Sequence, residues 1–233
     1  MLPDMNDLRP SAVTPSGGTE VVTHLAHQFE SLGQQKEAAT LGMWVFLVTE
    51  VLFFGGLFLA YTFYRVQYPD AWAHASEHLN RWIGAGNTVV LIGSSLTMAM
   101  AVHSARMSKG RMVAFWILMT MLLGSVFMGV KAYEYMGKWE HGLFPANWFY
   151  VAPDAPQQRI FFSLYFAMTG LHATHMIIGM GIMVYVIIQA LKGAYTSRWF
   201  TPVEILGLYW HFVDLVWIFL FPLLYLLGHN PGH

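Results

Sequence analysis

Five stretches of this chain, approximately residues 38–65, 81–105, 111–135, 158–191 and 200–228, are rich in large apolar side chains and nearly free of charge. Each is at least as long as the roughly 20 residues a helix needs to cross a hydrocarbon core about 30 Å thick. In water such segments have nowhere to go. Apolar residues make up 56% of the chain and charged residues 11%, and too little polar surface remains to coat a globule of that size. A bilayer lifts this constraint but demands that every backbone N–H and C=O be paired within its own segment, which selects the helix. The expected fold class is therefore an all-α membrane protein, a bundle of five transmembrane helices. No period of about 20–50 residues repeats, so neither a solenoid nor an inverted-repeat transporter is supported.

Residues 1–35 carry Pro3, Pro10, Pro15, Gly17 and Gly18 with scattered charges. They lack the basic start and apolar core of a secretory signal, so they read as a flexible leader before a transmembrane domain over 36–233. Tyr64, Tyr68, Trp72, Trp82, Trp139, Trp148, Tyr150 and Trp199 cluster at the span margins, as an interfacial aromatic belt does. Two longer linkers, 66–80 and 137–157, have the length to fold over the surface, the second in the headgroup region.

Orientation follows from Lys and Arg in the short loops. Lys36, Arg106, Lys109, Arg111, Lys192 and Arg198 fall on one side. The other side holds Arg65, Arg81, Lys138 and Arg159, diluted by Asp70, Glu77, Glu140 and Asp154. The bias places the N-terminus in the cytoplasm and the C-terminus outside. A net charge of −1 gives no reason to expect a nucleic-acid partner, and the absence of cysteine excludes disulfides, thiolate metal sites and thioether-linked haem.

Ionisable groups inside the spans are the informative residues, since each costs about 2–3 kcal/mol to insert even on lenient scales. Glu50 lies about 12 residues into the first span, ~18 Å at 1.5 Å per residue and near mid-membrane, on a face with Phe46, Phe53, Phe54 and Leu57. In the fourth span His172 and His175 share a face in line with Gly179, and in the fifth Glu204, His211 and Asp214 form a stripe. Glu50, the histidine pair and His211/Asp214 fall at similar depth, so they can meet. Two readings stand for each of them: a hydrogen bond that joins helices, worth about 0.6 kcal/mol on average, or a functional relay. For Asp214 the structural reading is a pairing with His211. Lys131 and Glu134 read as an ordinary i,i+3 pair near the outer surface, and the fifteen Met residues as apolar filler. The three deep histidines have no carboxylate-rich outer shell, so neither a metal nor a haem is expected in this chain. Glu50 is expected to bond to the fourth span, to His175 rather than His172.

These same residues carry a family likeness. Thr169-Gly170-Leu171-His172-Ala173-Thr174-His175, closed by Gly179, resembles a stretch of cytochrome c oxidase subunit III. Leu208-Tyr209-Trp210-His211-Phe212-Val213-Asp214-Leu215-Val216-Trp217-Ile218-Phe219-Leu220 resembles the closing signature of that family almost letter for letter, and Glu50-Val51-Leu52-Phe53-Phe54-Gly55 and Glu134-Tyr135 are similar to two further segments. The likeness runs from about residue 38 to 228. It implies an accessory subunit of a proton-pumping haem-copper oxidase in the bacterial plasma (inner) membrane, packed against subunit I, with subunit II nearby and the haems and copper held by those partners. It also implies support of proton uptake by the network of Glu50, His172, His175, His211, Asp214 and Glu204. Larger relatives have two more helices at the start, which frame a cleft for phospholipid; here another subunit or membrane lipid closes that side. The sequence leaves cytochrome c and quinol both open as electron donor, and the resemblance extends to homologues associated with nitric oxide reductases. Competing classes fare worse: a small-solute transporter needs paired broken helices, and a di-haem cytochrome needs facing histidines on separate helices.

Overall fold

The structure is a computed structural model in which residues 25–77, 79–140, 155–196 and 199–226 are described. Trp148, Tyr150, Asp154 and Arg198, most of the 137–157 linker and the first 24 residues of the leader lie outside them. The helices in chain order are α1 (Leu32–Gln67), α2 (Pro69–Glu77), α3 (Arg81–Arg106), α4 (Gly110–Glu140), α5 (Ala155–Leu191) and α6 (Thr201–Phe221), the last running into a π-helical turn at Pro222–Leu226. Among the described residues there is no strand, only an isolated bridge between Thr196 and Trp199. Five of these helices, all but α2, are long and apolar enough to cross a membrane, and the protein is a membrane protein.

The chain forms two units, residues 1–38 and 39–233. Within the first, a turn at Ala26–Phe29 leads to the start of α1. Ser31 Oγ accepts from Gln34 N at 3.2 Å, while the Gln34 side chain accepts from Glu30 N at 2.8 Å. These bonds satisfy N–H groups that a helix start leaves without partners, so α1 begins earlier than the apolar stretch itself.

In the second unit α6 is the central element. Trp210, Trp217, Val203 and Leu220 are fully buried on it. Trp210 fits between α4 and α5 because both present glycine there. A Cβ added at Gly124 would lie 3.1 Å from its ring, and one at Gly179 3.0–3.1 Å from Tyr209 and Trp210. In a membrane, where apolar side chains gain nothing by leaving lipid, close approach of this kind and interhelical hydrogen bonds hold helices together. The bonds are present: Trp210 Nε1 donates to Ser94 Oγ at 3.1 Å, Trp217 Nε1 to Thr88 Oγ1 at 3.0 Å, and Asn87 Nδ2 to the Phe127 carbonyl at 3.2 Å.

The transmembrane part of α1 is attached differently. Its buried residues are Leu47, Phe54 and Tyr61, seven apart, with Met43, Leu57 and Tyr64 partly buried between and beside them. A seven-residue seam is the pattern of shallow helix crossing along one narrow stripe. Much of the rest of α1, including Trp44, Val48, Leu52, Leu59 and Phe63, is exposed. The linker 66–80 does not simply lie over the surface. Its helix α2 packs inward, and Trp72, expected in the interfacial belt, is buried at 1% exposure between Tyr61 and Phe161, with ring centroids at 5.9 and 5.6 Å. Trp82, at 81% exposure, does project outward.

Candidate functional site

Glu50 stands on the buried seam of α1, between Leu47 and Phe54, and its Oε2 lies 3.2 Å from His175 Nε2 on α5. The other ring nitrogen, His175 Nδ1, is 2.8 Å from the Leu171 carbonyl. A carbonyl oxygen only accepts, so Nδ1 carries a hydrogen. That assignment decides what the contact to Glu50 can be. If the imidazole is neutral, Nε2 is bare and Glu50 must be the protonated partner; if Glu50 is ionised, Nε2 must carry the proton. A hydrogen bond between the two atoms therefore requires one proton shared by the pair. The approach is imperfectly aimed, leaving Glu50 Oε2 without a well-directed hydrogen bond. His175 is held firmly on its other sides. Tyr209 Oη donates to its carbonyl oxygen at 2.9 Å, and the Phe54 ring lies at 5.6 Å.

The remaining polar residues do not converge on this pair. His172 and His175, three residues apart, differ by about 60° around the helix, and α5 has different neighbours on the two sides. His172 turns toward Phe127 of α4 and Trp217 of α6, at 5.6 and 5.3 Å. It is 1% exposed. His211 faces α3, its Nδ1 2.7 Å from Ser95 Oγ. The expected pairing of Asp214 with His211 is absent: the histidine binds Ser95 instead, and the Asp214 oxygens are buried with Ser95 as their hydrogen-bonding neighbour. They border a cavity of about 210 Å³ together with Ser95, Leu91 and Ile218. Glu204 sits at the start of α6, two turns from His211, and binds Arg106 at 3.2 Å. Among the described residues no three His, Asp or Glu side chains gather as a metal would require.

The largest departure from expectation is at Lys131 and Glu134. They are not an ordinary surface pair. Lys131 and Lys138 are buried at 7% and 4% exposure, and both bind Glu134, at 2.8 and 2.7 Å. Glu134 also accepts from Tyr165 Oη at 3.2 Å and from Tyr225 Oη at 2.6 and 2.8 Å, which ties α4 to α5 and to the π-helical turn. The Lys131 ammonium lies 4.6 Å from the Trp217 ring centroid and 5.1 Å from that of Tyr225. This is cation–π contact in a desolvated setting, where it is strongest. The sequence signal was faint: two lysines spaced to flank one glutamate near the end of an apolar span.

The chain is similar to known proteins along nearly its whole length. The family described as cytochrome c oxidase subunit III matches residues 21–229. A cytochrome c oxidase subunit 3 of Thermostichus vulcanus is 32% identical over 213 residues, covering 91% of this chain and 96% of the relative. The corresponding protein of Corynebacterium diphtheriae is 34% identical over 190 residues, 81% of this chain and 87% of the relative. A probable quinol oxidase subunit 3 of Staphylococcus haemolyticus is 29% identical over 209 residues, 89% and 98% of the two chains. With the motif residues in place on four of the five membrane helices, this chain belongs to the cytochrome c oxidase subunit III family.

Proposed function

We propose that this chain is the accessory, cofactor-free subunit of an oxygen-reducing, proton-pumping haem-copper oxidase of the bacterial plasma membrane. It packs against the haem-bearing subunit I, with subunit II nearby, its N-terminus cytoplasmic and its C-terminus outside. Its contribution is to stabilise subunit I and to sustain proton uptake. The observation that carries this reading is the Glu50–His175 pair, which brings a carboxyl and an imidazole to 3.2 Å from each other within two membrane-spanning helices. Such a pair can move a shared proton between its two groups without a change of net charge, because the neutral and the ionic arrangements contain the same atoms and differ only in where the proton sits; passing a proton on requires a second to arrive as the first leaves. The higher identity to relatives named for cytochrome c, 32–34% against 29% for the quinol relative, favours cytochrome c as the donor. The quinol reading stands second, supported by the near-complete coverage of that relative.

The test is Glu50→Gln and Glu50→Ala in the assembled oxidase. Glutamine keeps an N–H for the bare His175 nitrogen but cannot release it, so the subunit stays bound while turnover slows or pumping falls at alkaline pH. Alanine removes both functions and loosens the subunit. Parental pumping and assembly in both variants would overturn the proton role. Haem or metal retained stoichiometrically by the isolated subunit would overturn the cofactor-free reading, and a cytoplasmic signal from a reporter fused after His233 would overturn the orientation.

A further inference from the structure

The outer face of α3 and α6 carries a polar group that stands apart from the Glu50–His175 pair. Ser95 on α3 and His211 and Asp214 on α6 border a notch of about 210 Å³, rimmed by Ile92, Leu215 and Ile218. The three rim residues are exposed, so the notch opens on the surface that meets lipid. It is also deep. His211 lies 10 residues after Thr201 and Ser95 14 residues after Arg81, each in a span of 26 residues. At ~1.5 Å per residue, both are about 15 Å or more from either end of their helices. Ionisable side chains at such depth face the interior of a bundle or a polar partner, because hydrocarbon offers them none.

The hydrogens decide what the notch asks of its occupant. His211 Nδ1 is 2.7 Å from Ser95 Oγ, and Asp214 has Ser95 as its hydrogen-bonding neighbour. Serine has one hydrogen to give. If it goes to Nδ1, the neutral imidazole carries its own hydrogen on Nε2, and a protonated Asp214 donates to the serine oxygen. If it goes to an ionised Asp214, Nδ1 donates to Ser95, and charge balance puts a second imidazole hydrogen on Nε2. The remaining neutral arrangement, a protonated Asp214 accepting from Ser95, strands the carboxyl hydrogen, since the Asp214 oxygens have no other partner among the described residues. Both fully bonded, net-neutral arrangements therefore turn an N–H outward at Nε2. Among the described residues that N–H meets no acceptor, and the nitrogen is not enclosed as the Asp214 oxygens are.

We propose that this notch docks a transmembrane helix of the haem-bearing partner subunit, whose hydroxyl or carboxamide oxygen accepts from His211 Nε2 at mid-membrane. An acyl chain suits the apolar rim but has no acceptor to offer. Headgroup oxygens do accept, yet they lie at the helix ends, about 15 Å away. A membrane helix brings an acceptor to this depth together with apolar side chains that cover Ile92, Leu215 and Ile218. The inference rests on the accessory-subunit reading and deepens it, by naming the face through which the chain binds the larger subunit.

The experiment places a photo-reactive benzoylphenylalanine at Ile92 or Ile218 on the rim, or at Leu52 on the exposed side of α1, in the oxidase purified with all its subunits. The rim positions are expected to cross-link to one transmembrane segment of the haem-bearing subunit, within a turn of a Ser, Thr, Asn or Gln. His211→Leu should weaken retention of the chain during detergent titration by roughly 3- to 20-fold, the range that interhelical hydrogen bonds in membranes give. His211→Gln keeps an N–H and should restore most of it. Rim cross-links to lipid, to a second copy of this chain or to a segment without such an oxygen would overturn the proposal. So would a rim that stays silent while Leu52 reaches the haem-bearing subunit, an outcome that leaves the accessory reading standing. A chain that co-purifies with no haem-bearing subunit defeats that reading itself. If the leucine variant does not fold, the cross-links decide.

Discussion

Replacing Glu134 with glutamine removes the one anion from a buried group of two ammonium ions. In the parent, the carboxylate receives Lys131 at 2.8 Å, Lys138 at 2.7 Å and two tyrosine hydroxyls, at side-chain exposures of 9%, 4% and 12% for the three ionic groups. Removing one partner of a buried ion pair costs about 3–5 kcal/mol, mostly because the abandoned charge has no water to return to. Here two charges are abandoned, so the upper part of that range is expected. At about 2–4 °C per kcal/mol for a chain of this size, about 4–5 kcal/mol should lower the midpoint of thermal loss of helical circular dichroism by roughly 8–20 °C. Lys131→Met is the control. It takes away the surplus cation, leaves Lys138 with Glu134 as a neutral pair, and keeps apolar contact with Trp217. It should cost about 1 kcal/mol or less, and the double variant Glu134→Gln/Lys131→Met should recover part of the loss, as residues sharing one network do. A Glu134→Gln midpoint within 2–3 °C of the parent, or no worse than that of Lys131→Met, would refute the claim that this group is an electrostatic clasp.

Gly179→Val places a branched side chain where a single Cβ already comes within 3.0–3.1 Å of Tyr209 and Trp210; overpacking of this kind should cost about 1–3 kcal/mol, and an unchanged midpoint would show that α5 and α6 can separate freely. Asp214→Leu removes a buried carboxyl whose hydrogen-bonding neighbour is Ser95 and places apolar atoms against a cavity of about 210 Å³. It should leave the isolated chain about as stable as the parent, since the poorly satisfied buried carboxyl is removed together with one weak bond to Ser95, and a drop like that of Glu134→Gln would mean the carboxyl is held by stronger partners. Ser95→Ala deletes the 2.7 Å bond to His211 and should cost about 1 kcal/mol in the same assay.

The five spans and their order were readable because the hydrophobic signal is strong and local. The partner of Glu50 was readable for a related reason: matching depth on two helices is simple arithmetic from span boundaries. What the sequence did not reveal depends on which helix stands beside which. His172 and His175 share a stripe in one dimension, yet α1 lies beside one and α4 and α6 beside the other. The burial of Lys131 rests on Tyr165, Trp217 and Tyr225, which lie 34, 86 and 94 positions further along the chain. No window of local periodicity spans that distance. Trp72 misled in the same way, since a tryptophan at a span margin serves the interface or the core according to how the following helix turns.

The narrow seam of α1 has a consequence for the order of synthesis. Apart from Trp72 on α2, the side chains that meet its seam, Phe161, His175 and Tyr209, belong to α5 and α6. Between Glu50 and His175 lie 125 positions, which at about 5–20 residues per second take roughly 6–25 s to make. For that interval α1 stands in lipid with its carboxyl alone while α3 and α4 are synthesised and free to pair through their own glycine and hydroxyl contacts. Of these spans, α1 thus waits until α5 is made before it finds its partners, and docks as a finished rod beside helices that have already paired.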